Sequence, residues 1–211
     1  AMSGVGWSQS PIGNSRLITP PESWSVYRVM DFGYPSPTVC LWLAESPEVD
    51  EQDNRLYVVF REAYKPETLI EEMAEQYIEP FSQDVTVEQT FADPAQADSR
   101  EALERRGIPT KSANKDVWNG IQEVKAQMST ELEPFGAQDE TPESADPPVV
   151  PGVLFYEDSL LHEPDAGLAD NNKPTRTIEE IAGYEWRDGQ DEPVKEDDHG
   201  LDCLRYGIYT L

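Results

Sequence analysis

The sequence lacks long hydrophobic runs and has few cysteines. Its longest apolar run is VCLWLA at 39–44, far shorter than the roughly 20 apolar residues that a membrane-spanning helix needs. The N-terminus has no basic segment followed by an apolar one, so we expect neither a signal peptide nor a membrane partner. Cys40 and Cys203 are too few for a disulfide framework, and their apolar surroundings predict two buried free thiols in a reducing compartment.

Positive charge is also scarce. The 211 residues contain 42 Asp and Glu against 16 Lys and Arg, a formal net charge of −26. Such a charge by itself argues against nucleic-acid binding, because phosphate contacts require cations. An acidic surface with 6 Lys and 10 Arg beside a normal core pattern is typical of proteins from a high-salt cytoplasm, where carboxylates keep the surface hydrated. We therefore expect a halophilic protein.

The few cations are unevenly distributed. No Lys or Arg occurs between Lys125 and Lys173, whereas residues 99–115 carry five cations against two acids. One face of the protein can therefore be locally positive.

Apolar patterning predicts one α/β domain over residues 24–211, since this length can bury one sizeable core. Three β-rich stretches joined by short loops predict an antiparallel meander. They are followed by a helix, a fourth strand, a short helix that Gly107 can end, and a longer helix. In chain order these segments are SVYRVMDF, TVCLWLAES, RLYVVFREAY, KPETLIEEMAEQYIEPF, DVTVEQTFAD, DSREALERRG and KDVWNGIQEVKAQMSTEL.

Two stretches fall outside this pattern. Residues 1–23 are rich in Ser, Pro and Gly without periodicity, and we expect an extended lead-in or linker. Residues 133–151 are Pro-rich and acidic, which predicts a disordered or solvated insertion. The insertion lies within the domain, because a strand, a short helix and a final helix are predicted after it. These are GVLFYED, TIEEIAGYEW and DDHGLDCLRYGIYTL.

Asp31 and Asp93 each end a predicted strand. Asp31 opens an Asp-Phe-Gly triplet of the kind found in protein kinases, but the other kinase motifs are missing upstream of it. Three meander strands, a helix and a fourth strand are the order of the ribonuclease-H-like fold, a mixed sheet flanked by helices in which the fourth strand lies parallel to the first. Neighbouring strands about 4.8 Å apart would bring both carboxylates to one edge.

A third acid, Asp202 on the final helix, can join this pair. Three carboxylates form a hard oxygen site suited to Mg²⁺ or Mn²⁺. Two such ions about 3.5–4 Å apart can activate water and stabilise the leaving oxygen of a phosphodiester. The sequence therefore predicts a site for metal-dependent phosphodiester hydrolysis.

Five segments resemble, in family order, the nuclease domain of the large terminase subunit of tailed viruses, whether of bacteriophages or of haloarchaeal viruses. This subunit packages and cuts viral DNA. The segments cover most of residues 24–209. The last segment is the most specific, because its pattern resembles the family's third metal-binding motif: an Asp-His pair, two further residues, an Asp, and then Arg-Tyr. The five segments are YRVMDFGYPSP, FADPAQADSREALERRGIP, NKDVWNGIQEVKAQM, TIEEIAGYEW and KEDDHGLDCLRYGIY.

The resemblance implies metal-dependent endonucleolytic cleavage of double-stranded DNA during genome packaging, at the viral procapsid in the host cytoplasm. It places the three metal motifs at Asp31, Asp93 and Asp202. Asp198 is a further candidate ligand. His199 is a further catalytic candidate, which could bind a metal, orient a carboxylate or cap the helix. Lys115 is a candidate DNA contact because the resemblance places NKDVWNG near the site. The other candidate DNA contacts are Arg100, Arg105, Arg106 and Lys111.

The chain also departs from the family. It has no Gly-Lys dipeptide, and so no ATPase phosphate loop. We therefore expect the ATPase domain of the same full-length subunit as a partner, together with the portal and the small terminase subunit, and we expect the isolated domain to be monomeric. The acidic insertion at 133–151 is unlike a compact family member.

Two alternative functions remain open. One is another ribonuclease-H-like nuclease of the resolvase or transposase type. The other is a non-enzymatic acidic module that mimics DNA, which explains the net charge directly but does not explain three aspartates at convergent positions.

Overall fold

The computed structural model describes residues 6–12, 16–49, 54–132, 150–185, 187 and 193–211. Ten strands and six α-helices are described. The strands are β1 Ser8–Gln9, β2 Ile18–Thr19, β3 Ser25–Asp31, β4 Thr38–Val49, β5 Arg55–Lys65, β6 Val87–Ala92, β7 Thr110–Ser112, β8 Glu131–Leu132, β9 Val150–Pro151 and β10 Val153–Phe155. The helices are α1 Ile70–Met73, α2 Ala97–Arg105, α3 Val117–Ser129, α4 Ala166–Asp170, α5 Thr177–Glu180 and α6 His199–Thr210.

A six-stranded mixed sheet organises the domain, in the order β10-β5-β4-β3-β6-β7. The meander of β3, β4 and β5 is antiparallel, as the sequence predicts. The next strand, β6, lies beside β3 and parallel to it, which is the predicted neighbour relation. The edge strands β7 and β10 run parallel to β6 and β5. This arrangement confirms the predicted mixed sheet.

Helices cover both faces of the sheet. Successive side chains of β4 point to opposite faces: Trp42 lies in one buried cluster with Met73 of α1, and Leu43 lies in the other with Leu204 of α6. Because both faces are buried, the central strands are almost continuously apolar. Within the described residues, every helix is too short or too polar to span a membrane.

Both cysteines are buried free thiols, as predicted. Cys40 lies in the cluster with Trp42, and Cys203 in the cluster on the α6 face. Burial raises the pKa of the Cys40 thiol to about 12. Both side chains therefore serve as small apolar core residues.

Ordered structure begins earlier than the sequence predicts. Within the predicted lead-in, β1 and β2 form a short antiparallel pair. The Trp7 ring lies edge-on to Trp24 with centroids 5.4 Å apart, and Leu17 is buried. Single apolar residues such as these pack without producing any periodicity, so the sequence shows no sign of them. Residues 1–5 and 13–15 of the lead-in lie outside the described residues.

Two predicted boundaries also change. The first helix begins at Ile70 rather than near Pro66, and it continues as a π-helical turn over Ala74–Ile78. Strands β8 and β9 pair at the two ends of the predicted insertion, so its last two residues belong to a strand. The rest of the insertion, 133–149, lies outside the described residues.

Candidate active site

The sheet places Asp31 and Asp93 at the same edge, the one formed by the C-terminal ends of the neighbouring strands β3 and β6. Asp31 is the last residue of β3, and Asp93 directly follows β6. Met30 lies opposite Ala92 in the parallel pair, and the Asp93 amide donates to the Met30 carbonyl over 3.3 Å. The two carboxylates therefore leave neighbouring strand ends, as the strand order predicts.

Helix α6 packs against β3 and brings the third acid to this edge. The Cys203 thiol donates to the Val29 carbonyl over 2.9 Å. At Gly207 the backbone comes so close to β3 that an added Cβ would lie only 2.9 Å from the Val29 side chain. The first turn of the helix carries Asp202, and His199 Nδ1 lies 3.0 Å from Asp31 Oδ2.

Electrostatics links the carboxylates. Burial raises the pKa of Asp31, the hydrogen bond with His199 lowers it, and the charges of Asp202 and Asp93 raise it further, so that the net shift is upward. Burial also raises the pKa of the nearby Tyr206 phenol, and the charges of the same three aspartates raise it further. The three acids predicted from the sequence thus act on one small region.

The pKa of His199 is shifted in the direction that favours the charged ring. Burial lowers it, but the hydrogen bond to Asp31 and the charge of that carboxylate raise it, and the net shift is upward. Because the pKa values of both partners rise, the pair tends to retain a proton between Nδ1 and Oδ2.

Cations surround the acids. The Lys115 ammonium lies 2.6 Å from Asp93 Oδ1. Asp202 is paired on both oxygens, with Lys195 at 3.0 Å and Arg205 at 2.9 Å. In the part of the chain that the structure describes, no three His, Cys, Asp or Glu side chains are grouped closely enough to hold a metal ion. Metal binding here would require the carboxylates to turn from these cations.

Asp198 occupies the N-cap position of α6 but makes no side-chain capping hydrogen bond. Its Oδ2 atom is buried and lies 3.0 Å from Lys195 Nζ, without the angles of a hydrogen bond. A buried carboxylate oxygen that lacks a hydrogen bond is costly unless a cation is near it. Lys195 is that cation for Asp198. The residue types at this edge, carboxylates that are hard oxygen donors, are nevertheless of the kind that a divalent cation prefers.

An open groove of about 240 Å³ begins beside Asp31, at Phe32 and Gly33. It runs past Leu69 at the start of α1 to Gln96, three residues after Asp93. The groove is lined by residues that follow the strand-end acids in sequence, and not by the acids themselves.

Three of the candidate DNA contacts bind within the domain. Arg100 donates to the Thr110 side chain over 2.9 Å and so ties α2 to β7. The other two form ion pairs on the surface, Arg105 with Glu101 at 3.2 Å and Arg106 with Glu79 at 2.6 Å. Of the remaining two candidates, Lys115 lies at the site, whereas Lys111 is exposed on β7 and has no ion pair to a described residue. Their roles in DNA binding stay predictions.

Sequence reasoning missed three residues that the structure brings to this region. Lys195 pairs with both Asp198 and Asp202. Tyr206 is close enough to the aspartates for their charges to raise the pKa of its phenol. Glu180 accepts a hydrogen bond from the start of α6. Tyr206 was visible within the Arg-Tyr of the last motif. Lys195 stands in an acidic stretch, and Glu180 is the second of two adjacent acids in the predicted helix TIEEIAGYEW, so neither is set apart by its sequence.

No protein-family model matches the sequence, and no curated protein matches it either. The fold is similar to solved structures of large terminases. A structure of the large terminase from a thermophilic bacteriophage matches with a TM-score of 0.63 and 21% identity over 92% of this chain. The same protein in complex with ATP-γ-S matches with a TM-score of 0.64 and 20% identity over 92% of this chain.

This chain spans 41% of the length of each of these two thermophilic phage structures. The P22 large terminase nuclease domain matches with a TM-score of 0.57 and 18% identity over 92% of this chain and 84% of that one. The predicted resemblance is thereby confirmed at the level of fold. The chain has the ribonuclease-H-like fold of large terminase nuclease domains.

Proposed function

We propose that this chain is a large-terminase nuclease domain that cuts double-stranded DNA during viral genome packaging by metal-dependent hydrolysis. The observation that carries the proposal is the convergence of Asp31, Asp93 and Asp202 on one sheet edge. Two of the three come from adjacent parallel strand ends and one from the helix packed over them. The fold shared with the P22 nuclease domain supports the same function.

The three aspartates, with Asp198, would hold Mg²⁺ or Mn²⁺. A divalent ion in a carboxylate site activates water and stabilises the leaving oxygen of a phosphodiester. The carboxylates make this edge strongly acidic, and the fold offsets that charge with Lys115, Lys195 and Arg205 while no metal is bound. These cations balance the charges of Asp93 and Asp202, and a divalent ion would take their place.

The same lysines suit a DNA substrate. Lys115 and Lys195 each leave 43% of the side chain exposed, so their ammonium groups can meet phosphates that approach the edge. His199 Nδ1 lies 3.0 Å from Asp31 Oδ2 and orients that carboxylate. The two lysines then offer DNA phosphates cationic contacts at an edge that is otherwise acidic.

Packaging needs parts that this chain does not supply. The large terminases of the thermophilic phage are longer, and solved structures of them hold ATP-γ-S or ADP. We propose that an ATPase domain of the same subunit drives DNA movement, with the portal and small terminase subunit as further partners at the procapsid in the host cytoplasm.

The alternatives fit less well. A DNA-mimicking module would display its acids outward, whereas Asp31 is buried and paired with His199. A resolvase or transposase would share the general fold, but the similarity found is to terminases.

The test is cleavage of supercoiled plasmid by the purified chain with Mg²⁺ or Mn²⁺ at high KCl. We expect nicked and linear products, which a chelator prevents. Asp93→Asn should abolish them, and the matched control Asp170→Asn, which removes the same charge from an exposed position on α4, should not. A wild type that leaves the plasmid intact with both metals would contradict the proposal.

A further inference from the structure

The N-terminus of α6 is capped by a carboxylate from another helix. Glu180, at the end of α5, is 2% exposed. Its Oε1 accepts from the Gly200 amide over 3.0 Å, and its Oε2 accepts from the Leu201 amide over 2.8 Å. The first amides of a helix have no partner within the helix, and the N-cap residue of α6 makes no side-chain capping bond. Glu180 supplies the missing acceptors.

This carboxylate is itself held from β5. The Tyr64 hydroxyl donates to Glu180 Oε1 over 2.8 Å. Two residues earlier on the same face of β5, Glu62 accepts from the Thr177 amide over 2.7 Å and from its hydroxyl over 2.5 Å. Both ends of α5 are therefore fixed to the sheet.

Helices α5 and α6 touch with no space between them. A Cβ at Gly200 would overlap the Thr177 side chain. The first turn of α6 therefore cannot move toward α5, and the Glu180 bonds oppose its movement away. This turn carries Asp202, and it carries His199 within 3.0 Å of Asp31.

We propose that Glu180 is a positioning residue for the nuclease site, an inference that rests on the proposed function. It holds the first turn of α6 in register with the ends of β3 and β6, so that Asp202 and His199 meet the acids of the sheet. It touches neither substrate nor reacting atoms. Removing a residue that orients metal-binding groups without touching the metal costs about 10- to 100-fold in activity or metal affinity.

The test compares three variants. Glu180→Gln keeps the shape but places an amide NH₂ against one of the two backbone donors, and Tyr64→Phe leaves the cap in place while removing its support. The control Asp84→Asn weakens a buried ion pair, in which Asp84 Oδ2 lies 2.7 Å from the Arg61 guanidinium. Arg61 points to the face of β5 opposite Glu62, so this pair lies away from Glu180. All three should lower thermal stability, so loss of stability alone cannot separate them.

Only the first two should affect the site. We expect Glu180→Gln to lower kcat for plasmid nicking by about 10-fold or more at unchanged KM for DNA, Tyr64→Phe to lower it less, and Asp84→Asn to leave it within twofold of wild type. Without metal or DNA, the amide resonance of Asp31 should shift in Glu180→Gln and not in Asp84→Asn.

Two outcomes would overturn the positioning role. One is a Glu180→Gln protein with wild-type kcat, and the other is an Asp84→Asn protein that loses kcat to the same degree. If the wild type does not cut DNA at all, the proposed function fails, and the Asp31 resonance alone decides the positioning role.

Discussion

His199 Nδ1 lies 3.0 Å from Asp31 Oδ2 and so joins the first turn of α6 to the end of β3. The ring is partly buried and the pKa values of both groups are raised, which favours a shared proton. We expect this contact to orient Asp31 rather than to supply an essential metal ligand. We therefore expect His199→Ala to reduce the nicking rate without abolishing it, as measured at saturating Mn²⁺. Complete loss at every Mn²⁺ concentration would make His199 essential.

Replacing the aspartates should separate activity from stability. Asp31→Asn, Asp93→Asn and Asp202→Asn should each abolish cleavage. Without metal, Asp31→Asn should melt at the same or a higher temperature, because burial and neighbouring acids already disfavour its charge.

Asp202→Asn should instead melt several degrees lower. It leaves the buried Arg205 guanidinium without its carboxylate, and a buried charge without its partner is destabilising. Lys195 keeps its pair with Asp198. Calorimetric melting curves with chelator present measure the difference, and Asp170→Asn controls for the lost charge. Equal melting temperatures for Asp31→Asn and Asp202→Asn would contradict this interpretation of the ion pairs.

Metal binding should appear as a stability change. An ion that binds only the folded protein raises its free energy of unfolding, by about 2.7 kcal/mol at 100 times the dissociation constant. Mn²⁺ at millimolar concentration should therefore raise the melting temperature of wild type but not of Asp31→Asn, with ionic strength matched by KCl. The same rise in both proteins would mean that the ion only screens the acidic surface.

Stability should depend on the ionisation of Glu180. Burial raises the pKa of its carboxyl from 4.5 to about 7, although its hydrogen bonds oppose the shift. Between pH 4.5 and about pH 7 the folded protein binds more protons than the unfolded chain. The contribution of the protonated Glu180 to the free energy of unfolding is therefore complete below pH 4.5 and is lost as pH rises through about 7. The free energy of unfolding of the wild type, compared with that of Glu180→Gln at the same pH, should fall by roughly 3 kcal/mol over this range. Denaturant titrations of both proteins at several pH values measure it, and a pH-independent difference would show that Glu180 titrates normally.

High salt should favour this protein. Charges repel over about 10 Å at 0.1 M salt and about 3 Å at 1 M. Raising KCl toward molar levels should therefore reduce repulsion among the 42 acids and strengthen apolar burial. We expect the melting temperature to rise and the nicking rate to hold or increase, at fixed Mn²⁺, whereas a basic nuclease loses DNA affinity. A steady fall of both would remove the halophilic interpretation but not the nuclease.

Local sequence determined the sheet and the two strand-end acids. Alternating and β-branched stretches mark β3, β4 and β5, and the order of the helix and the next strand predicts that β6 lies beside β3. Asp31 and Asp93 follow from that order, because each stands at the end of its strand. The pattern places Asp202 on the final helix but does not say where that helix packs, and the spacing of the last motif adds the link to the site.

Only the tertiary structure decided which charges meet. Glu180 is the second of two adjacent acids in a predicted short helix, and nothing near it in sequence shows that it caps α6 and accepts from Tyr64. Lys195 likewise pairs with Asp202 across the junction between the segment before α6 and the first turn of that helix. Trp7 packs on Trp24 from a stretch without periodicity. Periodicity records how one element faces the core, whereas these contacts depend on how separate elements are placed, and that placement is set by packing over the whole domain.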